Sequence, residues 1–166
     1  MIPQHVTQAV QKALYSLPAK MATEQARVMV YAIGLQESKF LYRRQMIEKG
    51  GKLVPEGPAK GYWQFERGGG CKGVINHAAS QFWMHDICKQ RNVQFDSLSL
   101  WNAIENDDIL AAAAARLLLF TDPFKLPALG DEQGAWDLYT RVWRPGKPHP
   151  ETWAGYYGHA ISHVIG

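Results

Sequence analysis

Glu37 is the residue of this 166-residue chain whose type and setting most suggest chemistry. From Thr23 onward Ala26, Met29, Val30 and Ile33 recur at three- and four-residue steps, the spacing of one helix face. Glu37 falls on the same stripe, ahead of Phe40 and Leu41. Its carboxylate is therefore expected to point toward the core. There it loses hydration, and near a helix C-terminus it also meets the negative end of the helix dipole; both effects favour the protonated form. A carboxyl group that keeps its proton near neutral pH is what general acid catalysis requires. The bland alternative is a glutamate paired with Arg43 or Arg44, or one turned to water by a fraying helix end.

The elements that must position this acid are mostly helical. Val6 to Leu17 forms an amphipathic segment that stops at Pro18, and Thr23 is placed to cap the helix that ends around Glu37. Leu41 to Lys60 carries Gly50, Gly51, Pro55, Gly57 and Pro58 and reads as loop. Tyr62 to Glu66 alternates, with Trp63 and Phe65 on one face and Tyr62, Gln64 and Glu66 on the other, as in a short strand ended by Gly68 to Gly70. Helices are expected again over Ala78 to Gln90 and Ala103 to Thr121, the second opening with Asp107 and Asp108 where negative charge suits the dipole. Its alanines, Ala111 to Ala115, let neighbours approach closely, which suits a central helix. A helix from Gln133 to about Trp143, a Pro-rich turn from Arg144 to Pro150 and a helix from Glu151 to Val164 complete the chain. The expected class is mostly α (α+β), with a small strand region beside Glu37, in one domain over residues 1–166.

Gln36-Glu37-Ser38, followed after a loop by Gly61-Tyr62-Trp63-Gln64-Phe65-Glu66, is the constellation that says most about function. An acid at a helix end facing a short hairpin resembles the lysozyme-like superfamily, in particular soluble lytic transglycosylases and goose-type lysozymes. In those families a Glu-Ser pair ends the catalytic helix, and a Gly-Leu-Met-Gln motif lines the opposite wall. Glu37-Ser38 matches the first, and Gly61 to Gln64 matches the second with Tyr and Trp for Leu and Met. A third family motif, Ala-Tyr-Asn, has Leu138-Tyr139-Thr140 as its nearest counterpart, which keeps the Tyr and loses the Asn. The resemblance covers roughly residues 24–145. It implies a lysozyme-like fold and cleavage of the β-1,4 bond between N-acetylmuramic acid and N-acetylglucosamine in peptidoglycan, without cofactor or metal. Glu37 would then be the acid/base. Ser38, Tyr62 and Gln64 would hold sugar substituents or the acid, and Tyr139 would orient the carboxylate. Phage and prophage cell-wall enzymes carry such domains, which implies a monomer made in the cytoplasm that reaches the wall from a virion or through a holin or other external route.

A second carboxylate decides the reaction. An inverting hydrolase needs a base roughly 6.5–9.5 Å from the acid, whereas a lytic transglycosylase uses the sugar's own 6-hydroxyl and needs one acid only. Glu66 stands where goose-type lysozymes place an aspartate, and Glu56 lies in the preceding loop. Glu66 can equally pair with Arg67 or Lys72. The expectation favours transglycosylation, with goose-type hydrolysis as the alternative and a non-catalytic wall-binding or virion component as a reading of another class.

Composition narrows the remaining choices. Net charge is +3 and the sequence pI about 8.9, with Lys and Arg scattered, so no basic stripe or motif points to nucleic acid. Met1 to Gln11 is polar and has no secretory signal pattern, and no stretch approaches the ~18 apolar residues of a membrane span. Cys71 and Cys88 are taken as reduced thiols. With His77 and His85 they invite a zinc reading, but the spacings are not those of a zinc module. His159 and His163 lie one helical turn apart and are read without a metal. The six tryptophans suit either a core or a cleft that stacks on sugar rings. Arg141, Arg144 and Lys147 around Trp143 could grip anionic peptide stems or lactyl groups, or form a solvated turn.

Overall fold

The helical periodicity translates into eight α-helices and one two-stranded sheet in a computed structural model that describes residues 1–166. Helix α1 (Gln4–Tyr15) is followed by α2 (Glu24–Ser38). Thr23 opens α2 by accepting a hydrogen bond from the Ala26 N–H at 3.2 Å, a cap worth about 1 kcal/mol. Lys39 and Phe40, both at φ 56°, close it by turning the chain back sharply. The hairpin β1 (Ile47–Lys49) and β2 (Lys52–Val54) pairs antiparallel with Ile47 opposite Val54. Then come α3 (Lys72–Asn76), α4 (Gln81–Gln90), α5 (Ser97–Ile104), α6 (Asp108–Phe120), α7 (Glu132–Trp143) and α8 (Pro150–Ile165). None of these helices is long and apolar enough to cross a membrane.

Two helices form the interior. Every residue of α6 from Leu110 to Leu119 is buried, and α1 lies along its alanine run. Helix α2 is buried from Val28 through Leu35 because α8 covers one side and α6 another. The sequence periodicity describes α2 as amphipathic, but only its ends keep polar faces. A helix apolar on nearly all sides must be wrapped by others, and α2 carries the cleft-facing residues at the end where the wrapping stops.

Three expected boundaries change. Residues 103–121 do not form one helix: the Asp107 carboxylate accepts from the Leu110 N–H at 3.0 Å and starts α6 afresh after α5 has ended. The loop expected between Leu41 and Lys60 contains the hairpin, whose turn is Gly50-Gly51 at positive φ. Tyr62 to Glu66 is not a strand. Gly61 to Gln64 makes a tight turn closed by the Lys60–Phe65 bridge, with Gly61 at φ 75° and Gln64 at φ 53°. The apolar alternation there reflects a turn pressed into the core, with Tyr62, Trp63 and Phe65 all buried.

Gly61 is obligatory for that turn. Its φ is left-handed, and a Cβ would sit 2.9 Å from the Ile104 carbonyl oxygen, which is backbone and cannot swing aside. Gly61→Ala is therefore expected to destabilise the protein by about 1–3 kcal/mol. Urea denaturation measures it; an unchanged midpoint would show that the turn tolerates a side chain.

Candidate active site

The turn at Gly61–Gln64 meets the end of α2 through Trp63. Its indole N–H donates to the Val30 carbonyl on α2 at 2.8 Å, and its own carbonyl accepts from the Trp143 indole of α7 at 2.9 Å. The Phe40 ring lies edge-on to Trp63 and Tyr62, over Gly34, where any Cβ would collide with it. The glycine lets the chain after Glu37 fold flat onto its own helix. One buried tryptophan, through its indole and its backbone carbonyl, thus locks α2, the turn and α7 together, and Glu37, Gln64 and Tyr139 stand on these three segments.

Glu37 is half-buried at the C-terminal end of α2 and faces a cleft of about 800 Å³. It forms no ion pair. Arg43 is bonded to Asp108 and lies over the Tyr62 ring at 4.6 Å, while Arg44 is 3.7 Å from Glu105 and donates to the Gly57 carbonyl. Both arginines that could have neutralised Glu37 are spent elsewhere. Burial accordingly pushes the Glu37 carboxyl up to about 7, against a partial opposing pull from the neighbouring Tyr139 hydroxyl, which favours the ionised form. Tyr139 in turn is raised, first by burial and then by the carboxylate beside it. Its ring is held parallel to Trp153 at 5.2 Å and beside Trp136 at 5.5 Å, so the side chain has little freedom to turn.

Of the six residues expected at the site, four border the cleft: Glu37, Gln64, Glu66 and Tyr139. Gln64 gives an amide proton to the Gly61 carbonyl at 2.9 Å, as a turn residue would, which leaves its side-chain carbonyl free. Glu66 is exposed in the cleft lining and pairs with neither Arg67 nor Lys72. The other two face away. The Ser38 hydroxyl is buried, donating to the Gly34 carbonyl at 3.2 Å and accepting from the Phe40 N–H at 3.1 Å, so it braces the helix end. Tyr62 points to the far side of the turn, where its hydroxyl meets His5 at 3.0 Å. Glu56 is exposed and bonded to Lys49 at 3.1 Å in the hairpin, outside the cleft lining.

Gln36, Tyr42 and Leu53 join the cleft although the sequence assigned them no role. Gln36 fastens the cleft wall: its amide nitrogen donates to the His149 carbonyl at 3.0 Å, and its amide oxygen accepts from Thr152 at 3.0 Å. Its only signal was adjacency to Glu37. Exposed Tyr42 and Leu53 stand at the cleft edge, the latter on β2. Arg144 and Lys147 line the cleft beside Trp143, whereas Arg141 turns away to a bidentate bond with Asp122 at 2.8 and 3.1 Å. Of the six tryptophans only Trp143 borders the cleft; Trp63 and Trp153 are core, and the Lys60 ammonium covers Trp101 at 3.7 Å.

Cys71 and Cys88 are free, buried thiols, pushed up by burial to about 12 and about 11, so neither is a ready nucleophile or metal ligand. His77 and His85 are exposed and do not join them in a ligand cluster. His163 belongs to packing, edge-on to Tyr31 at 4.7 Å and bonded to Thr7 at 2.9 Å. Comparison of the chain with protein-family models, with curated proteins and with solved structures finds no match in any of the three.

A raised carboxyl pKa has a consequence for stability that is independent of any activity. The folded value, about 7, lies above the ordinary value of 4.5, so the native state binds this proton more tightly than the unfolded chain. The penalty of a buried Glu37 is absent below the ordinary value, grows as pH rises, and is complete above the folded value. Glu37→Gln should match the wild type in stability at about pH 4 and exceed it by on the order of 2–3 kcal/mol at about pH 8.5. Denaturant titrations at the two pH values measure this; equal stabilities at both would mean that Glu37 ionises normally.

Proposed function

We propose that the chain is a peptidoglycan glycosidase of the lytic transglycosylase type, with Glu37 as its general acid/base. The observation that carries this reading is an unpaired carboxyl, raised to about 7, in an open cleft beside a fixed tyrosine hydroxyl. A carboxyl with that pKa is protonated in a large share of molecules near neutral pH and gives its proton readily. Support for the substrate comes from the Glu37-Ser38 and Gly61-to-Gln64 matches and from cleft chemistry that suits a glycan: amides, an aromatic edge, and the cations Arg144 and Lys147 for lactyl or stem-peptide carboxylates.

Glu37 protonates the glycosidic oxygen as the bond to the muramic acid C1 breaks through an oxocarbenium-like transition state. The Tyr139 hydroxyl, donating to the carboxylate just formed, stabilises it once the proton has gone. The Glu37 carboxylate then takes the proton of the same sugar's 6-hydroxyl as that oxygen attacks C1, which closes a 1,6-anhydro ring and restores the acid. Gln64 positions substituents and does not exchange protons, while Gln36 holds the cleft wall. A second reading rests on Glu66, an exposed carboxylate in the same cleft without a cationic partner. If it activates water, the outcome is goose-type inverting hydrolysis.

Glu37→Gln is expected to abolish clearing of purified cell walls, because the amide keeps the shape and cannot deliver a proton; activity within about threefold of wild type would reject Glu37 as the acid. Mass spectrometry of the muropeptides separates the two reactions. Anhydro products are expected, with only modest slowing in Glu66→Gln. Reducing-end products together with loss of activity in Glu66→Gln would establish hydrolysis.

Gln64→Ala and Tyr139→Phe should each lower the rate by roughly ten- to a hundredfold, as expected for lost positioning. Wild-type activity should fall as pH rises through about 7, where Glu37 loses its proton. Tyr139→Phe removes a group that favours the ionised acid, so this fall should move to higher pH. A pH profile that is unmoved, in a folded variant, would mean that Tyr139 does not act on Glu37.

A further inference from the structure

Arg116 is a buried charge without a counterion. It sits on α6 at 4% exposure, and among its five N–H donors only the Nε bond to the Met21 carbonyl, at 2.6 Å, is made. Nη1 is buried without any acceptor, and no carboxylate lies within ion-pair distance. A guanidinium in this position is expensive unless something pairs with it. Burial lowers it to about 10, so it remains charged at neutral pH.

Arg116 lines a cavity of about 500 Å³ that also receives the N-terminal end of α2 through Thr23 and Gln25. The first N–H groups of α2, on Glu24 and Gln25, find no acceptor in the chain, and they stand at the positive end of a 15-residue helix. Lys20 and Lys125 add two more cations to the wall. The single acid lining the cavity, Asp122, is already held by Arg141 through two hydrogen bonds. The rest of the lining includes apolar surface: Leu119 and Phe120, one turn beyond Arg116 on α6, and Phe124, which is 70% exposed. Lys20 lies 5.9 Å and Arg116 5.8 Å from the Phe120 ring, so cations and aromatic face adjoin.

We propose that this cavity is an oxyanion-binding site that takes a phosphate or carboxylate group carried on a small apolar body. It is separate from the cleft at Glu37, since the two lie at opposite ends of α2, about 21 Å apart by the rise of an α-helix. The assignment does not depend on the chemistry proposed for Glu37. The guanidinium supplies the pairing charge, the α2 amides and two lysines supply further donors, and the phenylalanine and leucine side chains cover the ligand's apolar part.

Titration of the arginine Nε–Hε resonances by NMR tests it, with phenyl phosphate, benzoate, inorganic phosphate and benzyl alcohol as probes. Phenyl phosphate or benzoate should move the Arg116 signal saturably in the millimolar range, whichever is tighter showing the preferred oxyanion. Inorganic phosphate should bind several-fold more weakly, and benzyl alcohol should leave the signal in place. Arg116→Met should remove the binding. Should that variant not fold, the double change Lys20→Ala, Lys125→Ala on the exposed rim should still weaken the titration by roughly three- to tenfold. No saturable shift with either anion, or a titration indifferent to the lysine changes, would overturn the assignment.

Discussion

Keeping one carboxyl half-buried and without a cationic partner at the end of a helix is the constraint on which the rest of this structure turns. Left to itself, a glutamate beside two arginines would form an ion pair and ionise at ordinary pH. The protein prevents this by giving each arginine a stronger engagement: Arg43 with Asp108 and the Tyr62 ring, Arg44 with Glu105 and the Gly57 carbonyl. The packing around Trp63 then brings the turn and α7 against α2, so that Glu37 is held half-buried with the Tyr139 hydroxyl beside it. Stability is given up at Glu37, as the pH dependence derived from the raised carboxyl expresses.

The scaffold absorbs that cost in its two central helices. Both α2 and α6 are apolar on nearly all sides, and the alanine run lets α1 approach α6 while α8 covers α2. Each central helix also carries a charge whose environment is unusual: Glu37 at the C-terminal end of α2, and Arg116 on α6 facing the cavity at the other end of α2. The two groups are of opposite sign, and each lies where the α2 dipole is unfavourable to it, Glu37 at the negative end and Arg116 at the positive end.

Much of this was legible in the residues, for reasons that differ from element to element. Helix positions followed from periodicity and from Thr23, whose cap is local and independent of tertiary context. The burial of Glu37 was also legible, because a carboxylate in an apolar repeat violates the pattern around it. The strand expected over Tyr62 to Glu66 failed because two-residue alternation does not distinguish a half-buried strand from a turn whose side chains are pressed into the core. Backbone φ at Gly61 and Gln64 decides between them. Ser38 and Tyr62 belong to the same failure, since a strand would have aimed Tyr62 with Gln64, and the sharp turn at Lys39 and Phe40 gives the Ser38 hydroxyl two backbone partners. The fate of Arg43 and Arg44 was beyond sequence reasoning, because their partners, Asp108 and Glu105, lie more than sixty residues away. The free state of Arg116 was likewise invisible until the contacts of α6 were known.

The central claim is that Glu37 holds its proton close to neutral pH, and its carboxyl can be titrated directly. In the protein carrying carbon-13 in its glutamate side chains, the resonance missing from Glu37→Gln identifies the group. Its chemical shift is then followed from acid to alkaline pH. The account predicts a midpoint of about 7. A midpoint near the ordinary value of 4.5 would contradict it, leaving the cleft without a poised acid.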